Sequence, residues 1–163
     1  MNKYIKTFEN YNKNVSIDSY LKTATFNELP INFKKGLLTY MVEGDPVEWT
    51  YEGDITDWVN GDNIKDIIND YAREKGDIEF EYGYVPTNLI IEKIRTVIED
   101  VDLGYDSFEE WHEAYQSTNP ANHGDSLFPI IVDDKWEEWI QDGWHRFNYY
   151  LSKGLGNIPV IKL

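Results

Sequence analysis

The pattern over residues 128–163 constrains this chain more than any other stretch. Phe128-Pro129-Ile130-Ile131-Val132 is a short apolar run, with its proline near the start, where a missing N–H harms a strand least. Asp133-Asp134-Lys135 turns the chain, and Trp136 to Gln141 is expected to return antiparallel. Asp142-Gly143-Trp144-His145-Arg146 then forms a strand-to-helix corner. A helical pattern follows from Phe147 to Leu151 and closes at Gly154. Ile158-Pro159-Val160-Ile161-Lys162 reads as a further strand. Strand, turn, strand, corner, helix, strand predicts an α+β fold with a sheet and a helix packed on it.

The corner has a physical use. The first turn of a helix leaves backbone N–H groups unpaired and carries partial positive charge. Gly143 removes the side chain that would keep a ligand from that backbone. Arg146 offers a planar fork of donors suited to phosphate or carboxylate. Together these residues describe an anion site, most naturally for phosphate. Each also has a plainer reading. Asp142 serves as an N-cap, Gly143 as a turn residue, and Arg146 as the partner of one of the chain's many carboxylates.

At 163 residues the chain has room for one domain with an N-terminal extension. A 41% hydrophobic and 15% aromatic composition supplies a real core, which excludes wholesale disorder. The formal net charge is −15. Such a field repels nucleic acid, so direct DNA binding is not expected. It suits solubility, or docking on a basic protein groove in imitation of nucleic acid. With no cysteine, disulfides, thiolate zinc sites and cysteine nucleophiles are excluded. No apolar run approaches membrane-spanning length, and Met1 to Lys6 has no apolar signal core. A cytoplasmic setting is the expectation.

Residues 1–27 are polar and rich in Asn and Lys, and are expected to form a flexible arm. Ile5, Phe8, Tyr11 and Val15 permit a short amphipathic helix within it. Phe33 to Met41 reads as a helix stopped by Gly44-Asp45-Pro46. Glu43 to Asp62 carries no Lys or Arg, and Trp49, Tyr51 and Trp58 stand among its acids. A solvated acidic face with aromatic anchors is expected there. Asn63 to Lys75 has the 3-and-4 apolar spacing of a helix that ends at Gly76. Residues 1–77 are thus expected to be a mostly helical extension, and 78–163 the sheet-bearing domain. Ile78 to Tyr82 alternates as a strand should. After Val85-Pro86-Thr87, the residues Ile90, Ile91, Ile94, Val97 and Ile98 give a helical face. Ser107-Phe108-Glu109-Glu110 matches a capping box, so a helix is expected to run to Tyr115 or Gln116. His112 on that helix reads as a surface histidine. Residues 117–126 read as a loop. Its His123-Gly124 either closes over a ligand as a lid or is an ordinary turn.

Taken together, Phe128 to Val132, Ile140 to Phe147 and Ile158 to Val160 resemble the ParB/sulfiredoxin-like superfamily. The shared order is a Pro-Ile strand, a D-G-x-H-R corner, an amphipathic helix and a short I-P-V strand. The specific match covers 128–163, with Val85-Pro86 as the early strand exit seen in such domains. The resemblance implies a mixed sheet and a nucleotide site. Gly143, His145 and Arg146 would bind phosphate, and Asp142 would cap the helix or hold a metal-bound water. Family members include sulfiredoxins, CTP-switching partition proteins, proteins labelled ParB-like nucleases and a free-serine kinase. The kinase branch uses an upstream acid as base, and Glu92 holds that position here.

The departures narrow the reading. Sulfiredoxins place their catalytic cysteine where Trp144 stands, so sulfinate reduction is excluded. Partition proteins continue into a DNA-reading helix-turn-helix, whereas one strand follows the corner here, so centromere binding is not expected. Their G-E-x-R type motif is also not present.

Three functions stay open. The first is a Mg²⁺-dependent nucleotide enzyme, either an NTPase or a small-molecule kinase. Arg146 and the helix start would neutralise charge, and His145 would contact phosphate or move a proton. The second is a nucleotide-sensing switch that does little chemistry. The third is an acidic protein that docks on a basic partner. Residues 1–77 hold 9 basic against 14 acidic groups, net −5, and residues 78–163 hold 6 against 16, net −10. The acidity therefore concentrates around the proposed anion site, which opposes unaided phosphate binding.

Overall fold

The computed structural model describes residues 16–44, 63–116 and 127–163. It shows an α+β protein built on a five-stranded mixed sheet. The strands are β1 (Lys22–Thr25), β2 (Glu79–Pro86), β3 (Ile130–Val132), β4 (Ile140–Asp142) and β5 (Asn157–Lys162). Their order across the sheet is β1-β2-β5-β3-β4. β5 runs antiparallel to β2 and parallel to β3, and the other pairs are antiparallel. Among the described residues, five helices pack on the sheet, α1 (Ile31–Gly44), α2 (Asn63–Lys75), α3 (Thr87–Asp100), α4 (Phe108–Gln116) and α5 (Trp144–Ser152).

The period-two alternation of strands sorts side chains onto two faces. Phe80 and Tyr82 of β2, Ile131 of β3 and Ile161 of β5 join Phe33, Leu37 and Leu38 of α1 and Ile64, Ile67 and Ile68 of α2. Ile130 and Val132 of β3 and Ile158 and Val160 of β5 point the other way. There they meet Ile90, Ile94 and Val97 of α3, Trp111 of α4 and Phe147 and Tyr150 of α5. Strands β3 and β5 are therefore buried on both faces. This explains why they read as continuous apolar runs rather than as alternating ones.

The N-terminal region departs from the expected helical extension. Residues Lys22–Thr25, within the expected flexible arm 1–27, pair with Glu79–Tyr82 as an edge strand of the same sheet. Two short 3-10 turns, Ile17–Tyr20 and Phe26–Glu28, flank it. Helices α1 and α2 cover the sheet face that α3–α5 leave bare, so residues on both sides of position 77 share one core. The amphipathic pattern at Ile5, Phe8, Tyr11 and Val15 lies outside the described residues. So do Asp45–Asp62 of the acidic stretch.

Helix α4 begins as its capping signal predicts. Ser107 Oγ accepts from Glu110 N at 3.1 Å, and the Glu110 carboxylate reaches back to Asp106 N at 2.8 Å. The return strand is shorter than expected. Asp133 to Trp139 form a compact loop rather than strand, closed by Trp136 N→Asp133 O, Trp139 N→Trp136 O and Asp133 N→Trp139 O bonds of 3.2, 2.9 and 2.9 Å.

Candidate functional site

Helix α5 starts on a bare backbone. Its N-cap is Gly143, at φ +99° and ψ 20°, and no side chain caps the first turn. An L-residue rarely adopts that φ, so glycine is required there. The bend is also tightly approached. A Cβ on Gly143 would lie 3.0 Å from Ile130 Cγ2 and 3.2 Å from Arg146 Nη1.

Asp142 does not cap the helix. It lies on β4, one residue before the N-cap, and its Oδ2 stands 3.7 Å from Arg146 Nη1. The N-cap role failed because the strand continues through Asp142 and the left-handed turn is made by Gly143.

Arg146 faces inward. It is 6% exposed, and its Nη1 donates to Pro129 O at 2.5 Å. Its guanidinium also lies 6.0 Å from the centre of the Phe128 ring. One turn later, Tyr150 OH donates to Phe128 O at 2.8 Å. Two side chains of α5 thus hold the carbonyls of the segment that leads into β3. That segment is fixed from the opposite side by α1, where Gly36 lets the helix approach Pro129 closely. A Cβ there would sit 2.5 Å from Pro129 Cδ. The guanidinium is not fully satisfied by these contacts. Arg146 Nε and Asp142 Oδ2 are buried with no hydrogen-bond partner among the described residues.

The remaining faces of α5 divide cleanly. Trp144 turns sideways onto α4, edge-on to Trp111 with ring centres 5.4 Å apart and stacked on Tyr115 at 5.9 Å. Asn148 is fully buried, donates to Trp144 O at 2.8 Å and meets His112 Nδ1 at 2.6 Å. His112, expected at the surface, is instead half-buried and bonded between helices. His145 is exposed on the outer face, with its ring edge-to-face on Tyr115 at 4.9 Å.

The corner therefore brings Asp142, Gly143, His145 and Arg146 together, but splits their directions. His145 faces outward, while Arg146 lies beneath the bend. Glu92 is on the exposed face of α3, and no bond joins it to the corner among the described residues. His123 and Gly124 lie outside the described residues. Among the described residues no group of three His, Asp or Glu stands where it could hold a metal ion. No helix among them is long and apolar enough to cross a membrane.

A second polar cluster was not anticipated from the sequence. Lys162 Nζ on β5 bonds Asp18 Oδ1 at 2.7 Å and Asp134 Oδ2 at 2.6 Å, joining the N-terminal 3-10 turn to the β3–β4 loop. Burial alone would push this ammonium down, but the two carboxylates outweigh it and hold it above its ordinary range. The bond from Lys162 likewise holds Asp134 below the usual carboxylate range. These groups are far apart in sequence, and no local motif links them.

Comparison of the chain with protein-family models, curated proteins and solved structures returned no match.

Proposed function

We propose that the start of α5 binds the phosphate of a nucleotide, within a fold of the ParB/sulfiredoxin-like type. The observation that carries the reading is the uncapped Gly143 N-terminus, set directly above a buried guanidinium whose Nε has no partner. The backbone N–H groups of the first turn supply donors to the anion. The guanidinium lies below the bend, and because Asp142 stands 3.7 Å from it as counter-charge, the backbone donors carry most of the attraction in this reading. The exposure of His145 beside the bend supports this reading, in which its ring would touch a phosphate oxygen directly. Arg146 acts in this reading as a positioning residue rather than as a clamp, because its Nη1 is already given to Pro129 O. The order of motifs through Phe128–Val132, Asp142–Arg146 and Ile158–Val160 supports the fold assignment and, with it, a nucleotide rather than free phosphate. Mg²⁺ is the natural companion, since residues 78–163 hold 16 acidic groups against 6 basic ones.

Calorimetric titration with ATP, ADP, CTP and GTP, with and without Mg²⁺, tests the proposal. At least one nucleotide should bind saturably, and His145→Ala should weaken it about tenfold, the equivalent of one ordinary hydrogen bond. Absence of binding by all four, or equal affinity in the variant, would remove the site. Turnover measured on the same samples separates an NTPase or kinase from a sensing switch.

A second reading draws on the same charge imbalance. It is an acidic surface that docks on a basic protein partner. Salt-sensitive association with such a partner, in a protein that binds no nucleotide, would favour it.

A further inference from the structure

The 30 acidic groups of this chain are unevenly spread. Residues 29–40, 82–91, 127–132 and 143–163 contain no Asp or Glu. The fold gathers parts of these separate segments at one end of the sheet, where β2 leaves for α3 and the chain enters β3 through Phe128. Asn32 Nδ2 of α1 donates to Leu127 O at 2.8 Å and lies 3.5 Å from Tyr84 OH on β2. The Tyr84 ring stands edge-on to Phe33, with ring centres 5.5 Å apart. Tyr150 OH donates to Phe128 O, and it is close enough to the hydroxyls of Tyr84 and Tyr149 to feel both.

This junction is apolar at its surface. Ile31, Tyr84, Leu127 and Tyr149 are half of the large hydrophobic side chains exposed among the described residues. Exposure gathered in one place marks an interaction surface, whereas single exposed side chains do not. Lysines border it. Lys35 lies one helical turn from Ile31, and Lys153 Nζ stands over the Tyr149 ring, 5.4 Å from its centre. Neither forms an ion pair among the described residues. A chain of net charge −15 thus presents an apolar centre with a cationic border, built from segments that carry no acid.

We propose that this face docks a segment of a partner protein in which apolar anchors are flanked by acidic residues. The anchors cover Ile31, Tyr84, Leu127 and Tyr149, and the flanking carboxylates meet Lys35 and Lys153. The two tyrosine hydroxyls and the Asn32 amide give the apolar centre polar tips, a combination favoured at protein interfaces. A second copy of this chain fits less well. Its matching face carries the same lysines, and the rest of it brings a second charge of −15. Two lysines are too few to hold an anionic bilayer or a nucleic acid against the charge of the whole molecule. The face is separate from the α5 corner, because Tyr149 and Lys153 lie toward the other end of that helix.

The probe is a synthetic peptide with a leucine–tryptophan core flanked by glutamates, in a two-dimensional ¹H–¹⁵N titration of the full chain. It should bind saturably with a dissociation constant on the order of 0.1 mM, as a small transient contact does. It should shift the Ile31, Asn32, Tyr84, Leu127 and Tyr149 amides. The same core flanked by lysines should bind at least about tenfold more weakly. Lys35→Glu combined with Lys153→Glu should reverse that preference. Ile31→Asp should abolish binding of the glutamate peptide, and it keeps the fold because an acid in the first turn of α1 favours the helix. Lys75→Glu, at the end of α2 beside the start of β2, should leave affinity unchanged. Shifts that stay linear, equal affinity for the two peptides, or an unchanged preference in the double variant would each overturn the proposal. So would saturable binding to phosphatidylserine vesicles, or a dimer in sedimentation that Ile31→Asp dissociates, since each assigns the face to another occupant.

Discussion

Replacing Arg146 with methionine tests whether the guanidinium is a structural group. The side chain is 6% exposed, so methionine keeps most of its apolar contacts while removing the charge. Three losses follow. The charge-assisted bond to Pro129 O at 2.5 Å contributes about 1.5–3 kcal/mol. The contact with the Phe128 ring contributes about 0.5–1 kcal/mol. Asp142 loses its counter-charge, although its side chain keeps 23% exposure and stays partly hydrated. One gain offsets these, since the unpartnered Nε is no longer buried, which returns about 1–2 kcal/mol. With about 1 kcal/mol for the lost Asp142 pairing, the net expectation is a destabilisation of about 1–4 kcal/mol in urea unfolding with unchanged m-value. Asp142→Asn in the same background should lose less than the sum of the two single changes, by about 1 kcal/mol, because the surviving carboxylate no longer lacks a partner. Stability of Arg146→Met within about 0.5 kcal/mol of wild type, with no coupling to Asp142, would refute the assignment.

Two further changes follow from the same corner. Burial pushes the Tyr150 hydroxyl up to about 12 from an ordinary 10. A raised folded-state value contributes stability that is present below pH 10 and is lost as pH climbs to 12. Wild type should therefore lose about 2–3 kcal/mol more across that window than Tyr150→Phe, measured by chemical denaturation at stepped pH. The loss that remains in the variant belongs to Tyr40, Tyr71 and Tyr115, which burial also holds above their ordinary value, and to Lys162, which its two carboxylates hold above its own. Gly143→Ala should destabilise by about 2–4 kcal/mol, from left-handed strain together with crowding against Ile130 and Arg146. A thermal melt unchanged by that substitution would show that the bend relaxes freely.

Helical positions were legible because their signals are local. The apolar spacing of Asn63–Lys75 and the Ser107 cap define α2 and the start of α4 without help from distant residues. The strand, loop, strand, corner, helix and strand after Phe128 were legible for the same reason. What escaped depended on contacts across the sequence. Lys22–Thr25 is polar on both ends and becomes a strand only because β2 offers it an open edge. The sequence places a guanidinium at the α5 corner but does not say which way it turns. Its direction is set by Pro129, which α1 presses into place through Gly36. The Lys162 cluster joins positions 18, 134 and 162, and Trp139 takes a φ of +63° in a loop where strand was expected.

The placement of β5 has a consequence for how the chain is made. It lies between β2 and β3, so the antiparallel ribbon of β1 and β2 cannot join the β3–β4 hairpin without it. During synthesis the earlier residues leave the ribosome with an unpaired edge on each half-sheet. Such edges invite pairing with other chains. Closure awaits Asn157–Lys162, and the pairing of β5 with both neighbours seals the two edges in one step. A nascent chain stalled before those residues emerge is the species a chaperone would have to shield.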